Sequence, residues 1–299
     1  MNFDGILFFP VTPFDSADRV ETDLLTQHVR AGVDAGAGGV FPACGTGEFH
    51  ALSASESALV VRTAVSAVAG RVPVVAGAGG PLGHAVEVAR SAADAGADAL
   101  LVLPPYLVGA PQRGLVAYVE AIAAASDLPV IVYHRGSAAF TAESIRTLAA
   151  NPKVVGFKDG IGDIGATQLI VRAVADAGRE DFAFFNGLLT AELTQGAYRG
   201  IGVPLYSSAA FAMIPDVANA YYRAYVDGEE ARRLAILDGF YAPLVALRDE
   251  TPGFGVSLIK AGLRLEGLPV GSVRAPLVDP TPAQEARLAE ILAAGRALL

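Results

Sequence analysis

The 299-residue chain has three lysines, Lys153, Lys158 and Lys260, against nineteen arginines. Lys158 is the one best set for chemistry. It ends the apolar run Val154-Val155-Gly156-Phe157 and precedes Asp159 and a glycine-rich loop. Strict alternation along a strand puts Val154, Gly156 and Lys158 on one face and Val155 and Phe157 on the other. Gly156 would then leave open volume beside the lysine stem. A lysine turned into a confined interior is costly unless its pKa falls or it gains a partner. At an ordinary pKa of ~10.4, only about one such amine in two thousand is neutral at pH 7. Burial raises that fraction, and a neutral amine attacks a carbonyl to form a Schiff base. The alternative is a strand-end lysine that reaches solvent or pairs with Asp159 or Asp163. Lys153 fits the exposed entry to the strand.

Other reactive or anion-gripping groups follow apolar runs in the same way. Tyr133 ends Pro129-Val130-Ile131-Val132 and has the parity of an inward residue. Its phenol could relay a proton at a keto substrate, or be a rim tyrosine with a satisfied hydroxyl. Gly45 and Thr46 open a loop whose N–H groups could grip a carboxylate, or make a plain strand-to-helix turn. Arg135 could pair bidentately with a carboxylate, or be a surface arginine of the Arg135–Ala139 loop. Ser207 and Ser208 could hydrogen-bond substrate, or cap the next helix. Glu48 reads as an anchor for its loop. The histidines are scattered, with His134 alone at a strand end, so neither a metal site nor a metal cofactor is expected. Cys44 has no CxxC partner and reads as a small buried residue.

Eight apolar runs must position these groups: 5–12, 39–43, 72–76, 99–103, 129–133, 154–158, 182–186 and 201–206. Helical stretches alternate with them. Ser53 with Glu56 has the capping-box spacing, and Thr141 caps another helix. Continuous apolar strands suit a sheet covered on both faces. The count predicts a (β/α)8 TIM barrel over residues 1–207 with its working face at the strand C-termini. Residues 208–299 carry only helical periodicity (217–225, 229–247, 256–265 and 282–298). They predict a C-terminal helical extension packed on the barrel.

The chain is 53% hydrophobic, so a large core forms without staples. A single cysteine excludes an internal disulfide framework and fits a reducing cytoplasm. The start, Met1 to Gly5, lacks a signal-type pattern, and the run 99–110 is too short to span a bilayer. A net charge of −9 argues against nucleic acid and anionic membranes as partners. An anionic small molecule would need a local positive site. Gly160-x-Gly162-x-x-Gly165 matches a dinucleotide fingerprint. However, Asp181 begins the next strand rather than ending it, and Asp159 and Asp163 place negative charge where pyrophosphate would sit. That reading is set aside.

The order Gly45-Thr46-Gly47-Glu48, Leu103-Pro104-Pro105-Tyr106, Ile131-Val132-Tyr133 and Gly156-Phe157-Lys158-Asp159 resembles the dihydrodipicolinate synthase / N-acetylneuraminate lyase family, across essentially the whole chain. FPACGTGEF (41–49), VPVVAGAGGP (72–81), VVGFKDGIGDI (154–164), VPLYSSAAF (203–211) and VRAPLVD (273–279) resemble its branch of decarboxylating sugar-diacid dehydratases. The resemblance implies Lys158 as Schiff-base lysine, needing no other cofactor, and Tyr133 as proton-transfer residue. It implies that Gly45 and Thr46 bind the α-keto carboxylate, and that Tyr106 matches a tyrosine reaching a neighbouring subunit's site. It also implies a homo-oligomer, a dimer or tetramer. Thr46, Arg135 and Ser208 are the expected orienting groups for a sugar diacid. Departures are Gly45 for the first of the synthases' two threonines, Arg135 in place of a later arginine, His134 for an expected Asn, and Asn186 and Leu189. A pyruvate-dependent aldolase or synthase and a non-catalytic sugar-acid sensor are the alternative functions.

Overall fold

A computed structural model describes residues 3–299, so the opening of the Met1–Gly5 segment lies outside the described residues. Among them, eight parallel strands alternate with helices: β1 (Ile6–Phe8), α1 (Thr22–Asp34), β2 (Ala37–Val40), α2 (Ala54–Val68), β3 (Val75–Ala78), α3 (Leu82–Asp94), β4 (Ala99–Val102) and α4 (Gln112–Ala123). Then come β5 (Val130–His134), α5 (Ala142–Ala149), β6 (Val154–Asp159), α6 (Ile164–Asp176), β7 (Ala183–Asn186), α7 (Gln195–Gly200) and β8 (Leu205–Ser208). Consecutive strands pair except β2 with β3, and β1 pairs with β8. The β2–β3 seam is thinner. It is joined by a single bridge between Val40 and Val74, with Val40 N–H donating to Pro73 O at 2.9 Å. The result is the eight-stranded barrel that the apolar runs predict.

Two apolar layers follow from strand alternation. Leu7, Val75, Ala99, Leu101, Ile131 and Phe185 fill the interior, with Phe9 stacked on Phe41 at 4.5 Å between ring centres. Phe8, Val40, Val102, Val132 and Phe157 face the helices. That outer layer is continuous with the buried faces of the C-terminal helices α8 (Pro215–Asp227), α9 (Glu230–Ile236), α10 (Ala242–Arg248), α11 (Phe254–Leu265) and α12 (Pro282–Arg296). Capping fixes many helix starts. Ser53 and Thr281 complete capping boxes, and Thr141 and Asp163 accept backbone N–H groups of their first turns. Each cap is worth about 1 kcal/mol.

Several boundaries differ from the sequence expectation, β1 ending at Phe8 rather than residue 12 and β2 spanning Ala37–Val40 rather than 39–43, and three differences have a visible cause. β3 starts at Val75 rather than Val72, because the Asp98 carboxylate takes the Val74 N–H at 2.8 Å. β8 starts at Leu205 rather than Ile201. The Val203 and Pro204 carbonyls are held by the Gln195 amide, each at 3.1 Å, and Pro204 has no N–H to give. The 229–247 helix is α9 and α10 joined by a π-helical segment, Leu237–Tyr241. Among the described residues, no helix is long and apolar enough to cross a membrane.

Candidate active site

Lys158 points into the barrel because β6 is bulged, not because it alternates from Val154. Val130 pairs with Val154 but Ile131 pairs with Gly156, so Val155 is an extra residue. Val154 and Phe157 face the helices, while Val155 packs toward the interior. Gly156 does not open space beside the lysine, as expected from strict alternation. A Cβ there would already touch Ala183 O, at 3.0 Å, and the Phe185 ring. The extra residue resets the phase, and Lys158 pairs across from Tyr133 and Phe185, both interior residues.

The Lys158 side chain is 4% exposed. Its Nζ lies 4.0 Å from the Tyr133 ring centre and 5.1 Å from that of Phe9. Among the described residues, its one hydrogen-bond acceptor is the Gly187 carbonyl, at a long 3.4 Å. Neither carboxylate weighed as its partner reaches it. Asp159 turns to the other face, where it accepts from Ile161 N–H (2.9 Å), Gly162 N–H (3.3 Å), Thr167 Oγ1 (2.9 Å) and the Tyr198 hydroxyl. Those contacts also dispose of the dinucleotide fingerprint, since the loop's N–H groups already serve the protein's own carboxylate. Burial lowers the Lys158 pKa, partly offset by Tyr133.

Tyr133 and Arg135 belong to the same cluster. Arg135 Nη1 donates to the Tyr133 hydroxyl at 2.8 Å, and that hydroxyl donates to Gly187 O at 3.0 Å. Burial pushes the phenol up, but the charges of Lys158 and Arg135 and the arginine hydrogen bond outweigh it, leaving its pKa lowered. Two glycines make room. A Cβ on Gly160 would sit 2.7 Å from the Tyr133 ring, and one on Gly187 would sit 2.4 Å from Lys158 Nζ. Cys44 is buried, and desolvation pushes its thiol up to about 12 despite the nearby amine.

These groups open into a cavity of about 830 Å³ at the strand C-termini. Gly45 and Thr46 line it, beside an apolar wall of Phe49, Leu101, Leu103 and Pro104. The N–H groups of Gly45, Thr46 and Gly47 find no backbone acceptor among the described residues. The loop is pinned behind them: Thr12 Oγ1 donates to Gly47 O at 2.7 Å, and buried Glu48 pairs with Lys260 at 2.6 Å. Its other oxygen accepts the Arg274 N–H at 2.8 Å.

One expected group is elsewhere. Ser208 does not line the cavity. It pairs with outward-facing Phe8, is fully buried and accepts the Phe211 N–H at 3.2 Å, while Ser207, one residue earlier, takes the inward position. His134 is likewise outward, its Nδ1 accepting the Phe140 N–H at 2.9 Å, and burial lowers its pKa against the pull of Asp159 and Asp163. Tyr106 lies outside this chain's cavity, 64% exposed on a loop with exposed Leu107 and Val108. Sequence reasoning missed the roof. Arg248, Asp249, Thr251, Phe254, Val256 and Leu277 of the C-terminal extension line the cavity. They follow no strand, so no strand-end rule could find them. Among the described residues, no three His, Cys, Asp or Glu side chains gather as a metal site.

The model of the dihydrodipicolinate synthetase family matches residues 2–295. A Streptomyces griseus protein named "probable 5-dehydro-4-deoxyglucarate dehydratase" is 55% identical over 99% of this chain and 92% of its own length. A Streptomyces coelicolor protein named "probable 5-dehydro-4-deoxyglucarate dehydratase 1" is 52% identical over 99% of this chain and 94% of its own. Among solved structures, dihydrodipicolinate synthase from Oceanobacillus iheyensis superposes with a TM-score of 0.90 at 28% identity, covering 99% of this chain and 97% of that one. With a buried lysine near the end of its sixth strand and a family match over residues 2–295, the chain belongs to the dihydrodipicolinate synthetase family.

Proposed function

We infer that the chain is a 5-dehydro-4-deoxyglucarate dehydratase, a decarboxylating lyase working through a Schiff base on Lys158. The observation that carries this reading is the unpaired, desolvated Lys158 amine beneath Tyr133 at the floor of the cavity. The names of the relatives at 50–55% identity support the substrate.

The Lys158 amine adds to the ketone next to the proximal carboxylate, and water leaves to give an iminium. Gly45 and Thr46 offer N–H groups to that carboxylate. The iminium acidifies the adjacent methylene, and Tyr133, or a water it holds, relays that proton. The enamine expels the β-hydroxyl as water, giving a conjugated iminium. This is the electron sink for the next bond to break. The distal carboxylate leaves as carbon dioxide, and its bonding pair forms a dienamine. Protonation and hydrolysis release 2,5-dioxopentanoate and free Lys158. Arg135 holds the phenol and adds positive charge beside the developing anion. The exposed Tyr106–Val108 loop suits a subunit interface of a homo-oligomer, dimer or tetramer, as the family resemblance implies.

Borohydride trapping with 5-dehydro-4-deoxyglucarate, read by peptide mass alongside carbon dioxide release, tests this. A reduced adduct on the Lys158 peptide with carbon dioxide evolved is expected. An adduct with pyruvate instead, and turnover only with an added aldehyde, would assign an aldolase or synthase. Folded protein that traps no keto acid would sink the Schiff-base mechanism and favour a sugar-acid sensor.

A further inference from the structure

A diacid bound through its proximal carboxylate at the Gly45–Thr46 loop leaves a second carboxylate to be received. Arg135 is engaged at the reacting end, bonded to the Tyr133 hydroxyl. The other guanidinium lining the cavity is Arg248, at the end of α10. Its Nε donates to Asp249 Oδ1 at 2.8 Å and its Nη1 to Thr190 Oγ1 at 2.7 Å. A guanidinium has five N–H donors; these two bonds fix the fork, and Nη2 has no hydrogen-bond partner among the described residues. The side chain is only 15% exposed. Its partner Asp249 is 61% exposed, so solvent screens that negative charge.

Thr190 sharpens the case. It sits in left-handed backbone with φ 52°, an outlier for a β-branched residue. Such strain persists where surrounding structure over-determines it, often at ligand clamps. Here it ends the loop that begins at Gly187, whose carbonyl touches both Lys158 and Tyr133. Three residues of chain span at most about 11 Å. The terminal carbons of an extended six-carbon diacid lie roughly 6 Å apart, from C–C bonds of about 1.5 Å. Arg248 and Lys158 line the same cavity of about 830 Å³, so a substrate condensed on Lys158 extends into the space that Arg248 borders.

The geometry points to Arg248 as the receptor of the distal carboxylate. The C-terminal extension thereby selects diacids over monoacids. This rests on the Schiff-base reading above. The test compares two keto acids of equal length, 2-oxohexanedioate and 2-oxohexanoate, by half-saturation of borohydride trapping on Lys158. Wild type should favour the diacid at least thirtyfold. Arg248→Gln should erase that preference by raising the diacid value, with the monoacid value moved less than twofold. Arg248→Lys should restore part of it. Thr190→Val, which keeps the charge but loses the clamp, should reduce the preference severalfold. Equal weakening for both acids in Arg248→Gln would mean that the arginine merely braces the loop, and would overturn the proposal. So would an unchanged diacid preference. Wild-type protein that traps neither acid would overturn the Schiff-base reading, and the present inference with it.

Discussion

Lys158 and Lys260 are both sunk in the protein, and burial lowers the pKa of each. Their surroundings differ in one respect. Lys260 has a buried carboxylate, Glu48, at 2.6 Å, with Ser272 O at 2.9 Å. Among the described residues, Lys158 has no carboxylate partner, only a distant carbonyl and two aromatic rings. Lys153, the third lysine, lies at the surface, its Nζ donating to the Ser126 carbonyl at 2.7 Å. Burial alone does not make a lysine a nucleophile. A partnered amine stays charged and holds structure together, and a buried amine left without a counter-charge is poised to lose its proton.

That contrast can be broken by exchanging roles. Lys158→Met should fall below about a thousandth of wild-type turnover yet melt no lower, since it removes a buried amine that nothing neutralises. A Lys158→Met protein with substantial turnover would end the comparison. Lys260→Met should instead cost about 3–5 kcal/mol of stability, because Glu48 is left charged and alone. The Glu48→Gln/Lys260→Met double variant should recover most of that loss, as read by urea midpoints.

Glu192 extends the contrast to acids. It is fully buried, its carboxylate oxygens lack hydrogen-bond partners, and desolvation raises its pKa from 4.5 to about 7 despite nearby Ser208 and Tyr241 hydroxyls. The folded state therefore holds a proton that the unfolded chain releases. Glu192 should remove up to about 3 kcal/mol of stability as pH climbs from about 4.5 to about 7, with no further change above. Glu192→Gln should flatten that part of the stability profile. A wild-type-like slope in the variant would place the titration elsewhere. The smallest effect sharpens the geometry around Lys158. Gly187→Ala places a methyl on the amine and should lower kcat on the order of a hundredfold, with KM moving less. An unchanged kcat would mean that the amine has room to shift.

Much of this was legible in the sequence, for identifiable reasons. Apolar runs with both faces covered announce barrel strands, and a polar residue ending such a run falls on the working face. Lys158, Tyr133, Gly45, Thr46 and Arg135 all line the cavity for that reason. Ser208 was misplaced because its apolar run does not fix the phase of β8: Leu205 packs with the interior and Tyr206 with the outer layer, so Ser207 points in and Ser208 out. The bulge at Val155 was invisible, because nothing in Val154-Val155-Gly156 marks an unpaired residue. Arg248 was invisible for another reason. It lies in amphipathic helices whose periodicity reports a buried face and nothing about a cavity beneath.

The bulge has a further consequence, for how the chain tolerates change. Lys158 takes its orientation from its pairing with Tyr133, whereas Val154 takes its own from Val130. The two ends of β6 answer to different landmarks, with Val155 as slack between them. Deleting Val155 would restore plain alternation and still leave Lys158 facing inward. The loss of that one residue is thus absorbed before it reaches the amine. The strand carries slack of a single residue, placed just ahead of the side chain whose direction matters most.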